Sequence, residues 1–271
     1  MTAPRYSPAI VAAALGVPSV EFLGSGAFGD TWRDGDHAVK IICVDGYPPE
    51  RVAREIGGLS RVNSPHVVRL LKAGSVRLGG ADRPALTFEY VEGGDLQKRL
   101  DASDRPTPDQ AIGLLRGLLI GVRDLHAAAG TIHRDIKPPN VALRGGEWGE
   151  PVIIDLGLAK STTETTVTVY PGRVGTTAYM APEQLRGRRA RKAADLFAVG
   201  VTVRALFSGR HPFYEATRDY SYDDAIVRIE AGPALLPPGL SGPAATVLDL
   251  LVSHAEYERG SATSNLRRLE D

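Results

Sequence analysis

The sequence predicts an α+β fold of two lobes, a small N-terminal lobe of antiparallel strands with one main helix and a larger helical C-terminal lobe. Two observations support this prediction. Residues 20–90 contain short runs rich in β-branched and aromatic residues, which favour strands. Beyond Gly94 the apolar residues recur with helical spacing over much longer stretches. The character of the chain changes between Glu89 and Gly94, so we expect the hinge there.

The leading segment, residues 1–19, is rich in Pro and Ala. It predicts one short helix over residues 7–15, because Ser7 is a suitable N-cap and Pro8 fits the first helical turn. We therefore divide the chain into an N-terminal extension (1–19), a small lobe (20–90) and a larger lobe (91–271).

Within the small lobe, four runs predict strands and one predicts a helix. The helix is ERVAREIGGLSRV, in which Val52, Ile56 and Leu59 share one face. The strand runs are VEFLG, HAVKII, HVVRLL and ALTFEY. In the larger lobe, the helical patterns are AIGLLRGLLIGVRDLHAA, AADLFAVGVTVRALFSG and AATVLDLLVSHA.

Composition excludes several classes of protein. With 32 basic and 32 acidic residues, the net charge of zero gives no general attraction to nucleic acid or to an anionic membrane. The apolar run Ala9–Leu15 is far shorter than the roughly 20 residues of a membrane helix. Cys43 is the only cysteine, so an internal disulfide is impossible. We expect a soluble cytoplasmic protein with no membrane and no nucleic-acid partner.

The string GSGAFG places Gly24, Gly26 and Gly29 between two predicted strands. Glycines let a backbone lie close to phosphates and offer its N–H groups, although the same pattern is common in ordinary hairpins. Eleven residues after Gly29, Lys40 interrupts the apolar run HAVKII. A lysine there either extends to solvent or has an anionic partner, which Glu55 on the next helix or a phosphate would provide.

Two polar segments lie between the first two long helical patterns. IHRDIKPPN brings together His133, Asp135, Lys137 and Asn140. In this spacing Asp135 can accept a hydroxyl proton, Lys137 can neutralise a migrating phosphoryl group, and Asn140 can bind a hard cation. VIIDLG ends an apolar run with Asp155, a second candidate metal ligand or, taken alone, a turn residue.

The motifs GSGAFG, AVK, HRDIKPPN, DLG and TAYMAPE, in this order and spacing, resemble the signature set of protein kinases. The resemblance covers about residues 20–270. Within the family, the chain is similar to the bacterial branch of the eukaryotic-like Ser/Thr protein kinases. It implies ATP and Mg²⁺ (or Mn²⁺) as cofactors. It also implies a protein substrate that bears Ser or Thr.

The resemblance assigns roles to further residues. Asp135 and Lys137 are the catalytic pair, and Asn140 and Asp155 hold the metal. Lys40 pairs with Glu55, Phe88 lies beside the adenine pocket, and Glu89 and Val91 contact adenine through their backbone. The ATP-binding set is Gly24, Gly26, Gly29, Thr31, Ala38, Lys40, Glu55, Phe88, Glu89, Val91 and Ala142.

A regulatory and structural set is also implied. Arg134 belongs to a basic pocket that faces the activation segment, in which Thr166 or Thr168 is the expected autophosphorylation site. Thr176 contacts Asp135 and Lys137. Asp195 lies on a buried helix beneath the catalytic loop, and Glu183 pairs with Arg259.

Some positions depart from the family pattern. Thr31 and Ala142 replace the usual valine and leucine of the adenine pocket, Pro139 removes an N–H from the catalytic loop, and HAEYER before Arg259 lacks the usual Asp-Pro. The basic cluster of residues 186–192 is either a solvated face or a dock for an acidic partner.

The predicted function is transfer of the γ-phosphoryl group of magnesium-ATP to a Ser/Thr hydroxyl. Two alternatives stay open. A pseudokinase scaffold would keep the fold and bind partners without catalysis. A small-molecule phosphotransferase would share the HxDxxxxN core, although the TAYMAPE segment favours a peptide substrate.

Overall fold

The computed structural model describes residues 3–26, 28–45, 49–129, 131–155, 177–215 and 218–270. It divides into two compact units. The first unit contains Met1–Asn63 and Val68–Tyr90, and the second contains Ser64–Val67 and Val91–Asp271.

The first unit is built on a five-stranded antiparallel sheet. Its strands form where β-branched and aromatic residues cluster, because such side chains pack well on a pleated surface. The strand order is β1-β2-β3-β5-β4. The strands are β1 (Glu21–Ser25), β2 (Gly29–Asp34), β3 (His37–Ile42), β4 (Leu70–Leu78) and β5 (Ala81–Glu89).

Two helices accompany this sheet. Helix α1 (Pro8–Leu15) is capped by Ser7, whose side chain accepts a hydrogen bond from the Ile10 N–H, and it ends at Gly16 in the left-handed conformation. Helix α2 (Pro49–Leu59) follows β3. The α1 residue Val11 is completely buried in a cluster with residues of the sheet, so the N-terminal segment is part of the core of this unit.

The two faces of the sheet carry different residues. Trp32, Val39 and Ile41 pack in the same cluster as Val11 of α1. Because side chains alternate along a strand, Thr31, Ala38 and Lys40 lie on the opposite face. The ATP-binding residues predicted on β2 and β3 therefore share the face that α1 does not cover.

The second unit is mainly helical. It contains α3 (Leu96–Asp101), α4 (Pro108–Ala129), α5 (Pro182–Leu185), α6 (Lys192–Ser208), α7 (Tyr222–Glu230), α8 (Gly242–Leu251) and α9 (Ala262–Arg268). Two short strands, β6 (Val141–Leu143) and β7 (Pro151–Ile153), pair antiparallel. Helix α6 is buried on all sides from Ala194 to Phe207 and forms the centre of this unit. Among the residues described, no helix is long and apolar enough to cross a membrane.

One strand starts later than the sequence predicts. The prediction places the whole run HVVRLL in a strand, but β4 begins only at Leu70. The first part of the run belongs to the second unit, where Val67 forms an isolated parallel bridge with Ile153 and His66 Nδ1 lies 2.8 Å from the Pro151 carbonyl oxygen. The apolar residues of this run thus belong to two different units.

Candidate active site

The glycine-rich turn joins β1 to β2, and its glycines are needed for different reasons. A Cβ at Gly29 would lie 1.9 Å from the Ile41 carbonyl oxygen, so β2 and β3 can approach only if this residue is glycine. Among the described residues, a Cβ at Gly24 would meet no atom within 4 Å, and one at Gly26 would meet only the Gly29 carbonyl oxygen at 3.8 Å. The fold does not require glycine at Gly24 or Gly26. Their missing side chains leave room for a group that the protein does not supply.

Lys40 lies in the middle of β3. Across the sheet it pairs with Thr31 of β2 and Leu86 of β5. Ala38, two residues earlier on the same face, pairs with Phe88. Since Leu86 and Phe88 are buried, the Lys40 ammonium extends from an apolar surface, where a positive charge requires an anionic partner.

The residues predicted to contact adenine are divided between the two units. Glu89 belongs to the first unit, and its backbone N–H donates to the Arg69 carbonyl oxygen at 3.1 Å. Val91 and Ala142 belong to the second unit. Ala142 is buried on β6, where it pairs with Val152 of β7.

Asp135, Lys137 and Asn140 lie together on the loop between α4 and β6. Lys137 Nζ is 3.0 Å from Asp135 Oδ2. Asn140 Nδ2 donates to the same oxygen at 3.1 Å and to the Asp135 carbonyl oxygen at 2.8 Å. Two donors therefore fix the orientation of the Asp135 carboxylate. Pro139 does not disturb this loop, because it occupies the start of the 3₁₀ turn Pro138–Asn140, where a backbone N–H has no partner within the turn.

Asp195 of α6 determines the path of this loop. Its carboxylate is completely buried and accepts hydrogen bonds from the His133 N–H at 2.9 Å, the Arg134 N–H at 2.7 Å and His126 Nε2 at 2.8 Å. Arg134 has a left-handed backbone with φ of 65°, which costs a non-glycine residue about 1–3 kcal/mol. The charge-assisted hydrogen bonds that Asp195 accepts offset this cost and position Asp135.

Asp155 follows β7 directly and also has a left-handed backbone, with φ of 53°. Its carboxylate is exposed. His133 connects this residue to the catalytic loop: its Nδ1 accepts from the Asp135 N–H at 3.2 Å, so Nε2 carries the proton and donates to the Ile154 carbonyl oxygen at 3.2 Å. Two strained residues, Arg134 and Asp155, therefore lie on segments that the His133 ring joins.

The donor set of Asn140 and Asp155 fits a magnesium ion. Within the described part of the chain, Asn140 uses its amide nitrogen for both of its side-chain hydrogen bonds, so its amide oxygen can meet a cation. In the described part of the chain, no group of three or more His, Cys, Asp or Glu side chains is arranged to hold a metal. Magnesium suits such a sparse oxygen site, because it is commonly held by one or two carboxylates together with substrate phosphates and water.

Glu183 of α5 and Arg259 form a buried bidentate ion pair, with Nη1–Oε1 and Nη2–Oε2 distances of 2.7 and 3.1 Å. Arg259 also donates from Nε to the Ser253 carbonyl oxygen and lies over the Phe197 ring. The pair forms although the preceding chain lacks Asp-Pro, because the 3₁₀ turn Glu256–Arg259 brings the arginine into place. Removing one partner of such a pair costs about 3–5 kcal/mol.

His211 is a residue of this region that sequence reasoning missed. Its Nε2 lies 3.0 Å from the Ala178 carbonyl oxygen, and its Nδ1 accepts from the N–H groups of Phe213 and Tyr214, each at 3.2 Å. The imidazole stacks on the Tyr214 ring at 4.6 Å, and its desolvation lowers the His211 pKa to about 4. A neutral imidazole thus supports the segment that precedes α5. Arg5 was missed too, and no local pattern in the sequence indicates either residue.

Part of the predicted site lies outside the described residues. This applies to Thr166, Thr168 and Thr176 and to the side chain of Glu55, whose backbone lies in α2.

The antiparallel sheet unit, the helical unit and the loop that carries Asp135, Lys137 and Asn140 together define the protein kinase fold. A family model described as protein kinase domain matches residues 18–267. The chain belongs to this family, and the resemblance drawn from the motifs is confirmed.

Two similar curated relatives are bacterial proteins. The chain is 30% identical over 227 residues to the probable serine/threonine-protein kinase PkwA of Thermomonospora curvata, covering 80% of this chain and 29% of the relative. It is 30% identical over 189 residues to the serine/threonine-protein kinase PrkC of Bacillus subtilis, covering 68% and 28%. The chain thus spans less than a third of the length of these relatives.

Among solved structures, the chain is similar to one described as "Crystal structure of Rad53 1-466 in complex with AMP-PNP". The TM-score is 0.72 and the sequence identity is 27%, with 92% of this chain and 63% of the other chain covered.

Proposed function

We propose that this chain is an ATP-dependent protein kinase that transfers the γ-phosphoryl group of magnesium-ATP to Ser or Thr hydroxyls of a protein substrate. One observation carries the proposal: Lys137 Nζ and Asn140 Nδ2 lie 3.0 and 3.1 Å from the same carboxylate oxygen of Asp135. The names of the bacterial relatives and the nucleotide analogue bound to Rad53 support the same assignment.

In this reaction Asp135 orients the substrate hydroxyl and accepts its proton. The hydroxyl oxygen forms a bond to the γ-phosphorus as the bond from that phosphorus to the β,γ-bridging oxygen breaks, and ADP leaves. Lys137 balances negative charge on the transferred group. Catalysis arises from positioning and electrostatics, without a covalent enzyme intermediate.

The nucleotide is assigned to the residues that the family resemblance names. The space at Gly24 and Gly26 suits phosphates close to the backbone, and Lys40 offers them a positive charge. Phe88, Glu89, Val91, Thr31 and Ala142 are assigned to adenine, and Asn140 and Asp155 to Mg²⁺. When bound, Mg²⁺ neutralises charge on the phosphates.

The test is incubation of the purified protein with γ-labelled magnesium-ATP and a mixture of proteins. Asp135→Asn should lower label transfer by about 10²–10⁴-fold while leaving the melting temperature unchanged. Asp109→Asn is the matched control, because Asp109 is an exposed aspartate in the first turn of α4. Equal transfer by Asp135→Asn and the unaltered chain would contradict the mechanism.

The same experiment separates the two alternatives. A pseudokinase would bind ATP in a calorimetric titration and transfer no label to protein. A small-molecule phosphotransferase would place the label in the low-mass fraction of a cell extract. Neither alternative has a specific observation in its favour.

We further propose that phosphorylation at Thr166 or Thr168 activates the chain. Arg134 directly precedes Asp135, and a phosphate adds about −1.5 to −2 charges with three acceptor oxygens that suit an arginine. Mass spectrometry should find phosphate in residues 161–168 of the unaltered chain and none there in Asp135→Asn. Full activity after replacement of Ser161 and all five threonines of this stretch by alanine would exclude this regulation.

The basic cluster supports a proposal about the substrate. Arg188, Arg189 and Arg191 are exposed between α5 and α6, and their guanidinium groups make no hydrogen bond or ion pair with any described residue. By contrast, Arg186 pairs with Glu230, and Lys192 Nζ donates to the His126 carbonyl oxygen at 3.0 Å. These three arginines just beyond α5, which have no partner among the described residues, favour substrates with an acidic segment.

A further inference from the structure

Arg5, in the segment before α1, makes four contacts with the glycine-rich turn and the strand that follows it. Its backbone N–H donates to Asp30 Oδ2 at 2.7 Å, and its Nη1 pairs with Asp30 Oδ1. Nη1 also donates to Ser25 Oγ at 2.8 Å, and Nη2 donates to the Gly26 carbonyl oxygen at 2.8 Å. One guanidinium therefore joins the start of the turn, its middle and the strand beyond it.

The buried position of Asp30 requires a cationic partner such as Arg5. This aspartate lies on β2 and is completely buried, although an isolated carboxylate is costly to bury. Its Oδ1 also accepts a hydrogen bond from Ser25 Oγ at 2.7 Å. The burial and the Asp30 charge also raise the pKa of the nearby Cys43 thiol, which keeps that neighbour neutral. Arg5 is thus the cation that compensates the buried charge of Asp30.

The remainder of the N-terminal segment fixes Arg5 in place. Val11 of α1 is buried against the sheet, and Tyr6 packs against the same cluster. Asp30 pairs across the sheet with Ile41, which belongs to this cluster, so Arg5 approaches from the face that α1 covers. Lys40 extends from the opposite face. Arg5 therefore binds the Gly26 carbonyl oxygen on the side away from Lys40. The Arg5 guanidinium neutralises the partial negative charge of this oxygen, which would otherwise repel a phosphate near the turn.

We propose that Arg5 is a positioning residue for nucleotide binding, which holds the glycine-rich turn in the conformation that accepts the phosphates of ATP. This inference rests on the proposed function, because it assumes that the turn binds ATP. In the unaltered chain Arg5 already holds Ser25, Gly26 and Asp30 before ATP arrives, so less ordering is needed on binding and affinity is higher. Loss of Arg5 should release it.

Arg5→Ala, Arg5→Lys and Asp30→Asn should be compared with the unaltered chain in three measurements: the Kd of magnesium-AMP-PNP by calorimetry, the KM for ATP with kcat, and hydrogen exchange in nucleotide-free protein. Arg5→Ala should raise Kd and KM by roughly tenfold with a smaller change in kcat. Exchange should increase in peptides from the glycine-rich turn. Arg5→Lys should restore only part of the affinity, because an ammonium lacks the fork that reaches Ser25, Gly26 and Asp30 together.

Two controls separate positioning from a general loss of stability. Arg77→Ala removes another ion-paired arginine of the first unit, whose partner Asp82 is as exposed as Arg77 itself. It should leave Kd and exchange of the turn unchanged. Val247→Ala, at a completely buried residue of α8 in the second unit, should lower the melting temperature without raising the KM for ATP, measured well below that temperature.

The proposal is overturned if Arg5→Ala keeps Kd within about twofold and exchange of the turn is unchanged, a difference too small for a lost charge-assisted hydrogen bond. If the unaltered chain bound no nucleotide, the proposed function would fail, and the exchange measurement alone would decide. Faster exchange confined to the turn would then still support Arg5 as the residue that holds it. Unchanged exchange would overturn that role.

Discussion

At the scale of single residues, His211 makes the second unit sensitive to acid. Its Nε2–H donates to the Ala178 carbonyl oxygen, and two backbone N–H groups already point at its Nδ1. A proton added at Nδ1 would meet both donors. In addition, desolvation of the buried imidazole lowers the His211 pKa from 6.5 to about 4.

We expect stability to fall as the pH drops from about 6.5 to about 4. In this range the unfolded chain binds a proton at His211 and the folded chain does not, so the contribution is complete above pH 6.5 and is lost on acidification. It amounts to about 3 kcal/mol at most. Urea unfolding at several pH values should show this slope in the unaltered chain and a weaker one in His211→Gln.

His37→Gln is the control for this prediction, since His37 is an exposed histidine at the start of β3. It should keep the full slope. An identical acid slope in His211→Gln would show that other groups cause the loss of stability.

Residues close in sequence could be predicted from their spacing, the Glu183–Arg259 pair only from the family resemblance, and the contacts of Arg5 and His211 not at all. Asp135, Lys137 and Asn140 lie within six positions, so their spacing already constrains them to one loop. Arg5 and Asp30 are 25 residues apart, and His211 and Ala178 are 33 apart. Their contacts depend on the packing of α1 and on the end of α6, which no local pattern encodes.

At the scale of elements, the β1–β2 turn combines a structural glycine with two that the fold does not need. Gly29→Ala should destabilise the first unit by about 1–3 kcal/mol or more, because its Cβ would overlap the Ile41 carbonyl oxygen. Gly24→Ala should leave the melting temperature nearly unchanged and weaken ATP binding. Thermal unfolding and calorimetric titration of the two variants would measure both effects, and normal ATP affinity in a folded Gly24→Ala would count against the phosphate assignment.

Elements with a strong apolar period were predicted well, whereas β4 was not. Most of its side chains between Leu70 and Ser75 are exposed, so the strand is formed by backbone pairing with β5 and carries little hydrophobic signal. Helix α6 shows the opposite case. It is apolar on every side because it lies in the middle of its unit, and its long uninterrupted pattern predicted it easily.

At the scale of the whole molecule, the net charge of zero conceals a local excess of positive charge after α5. Changing Arg188, Arg189 and Arg191 together to Gln should raise the KM for a peptide with acidic residues by roughly tenfold and leave that for a neutral peptide unchanged. The effect should weaken with added salt, because exposed charges are screened.

The matched control changes Arg267 and Arg268 to Gln, which removes exposed arginines of α9. This variant should keep the unaltered KM for both peptides. Equal KM values for acidic and neutral peptides in the unaltered chain would show that the three arginines form only a solvated surface.

The buried carboxylate of Asp195 also bears on how such a chain can change over evolution. It accepts hydrogen bonds from the N–H groups of His133 and Arg134, which lie 62 and 61 residues earlier in the sequence. The catalytic loop thus takes part of its position from a helix that comes much later in the chain. The catalytic loop and α6 are therefore constrained together, because a substitution at Asp195 would remove two hydrogen bonds that hold the loop.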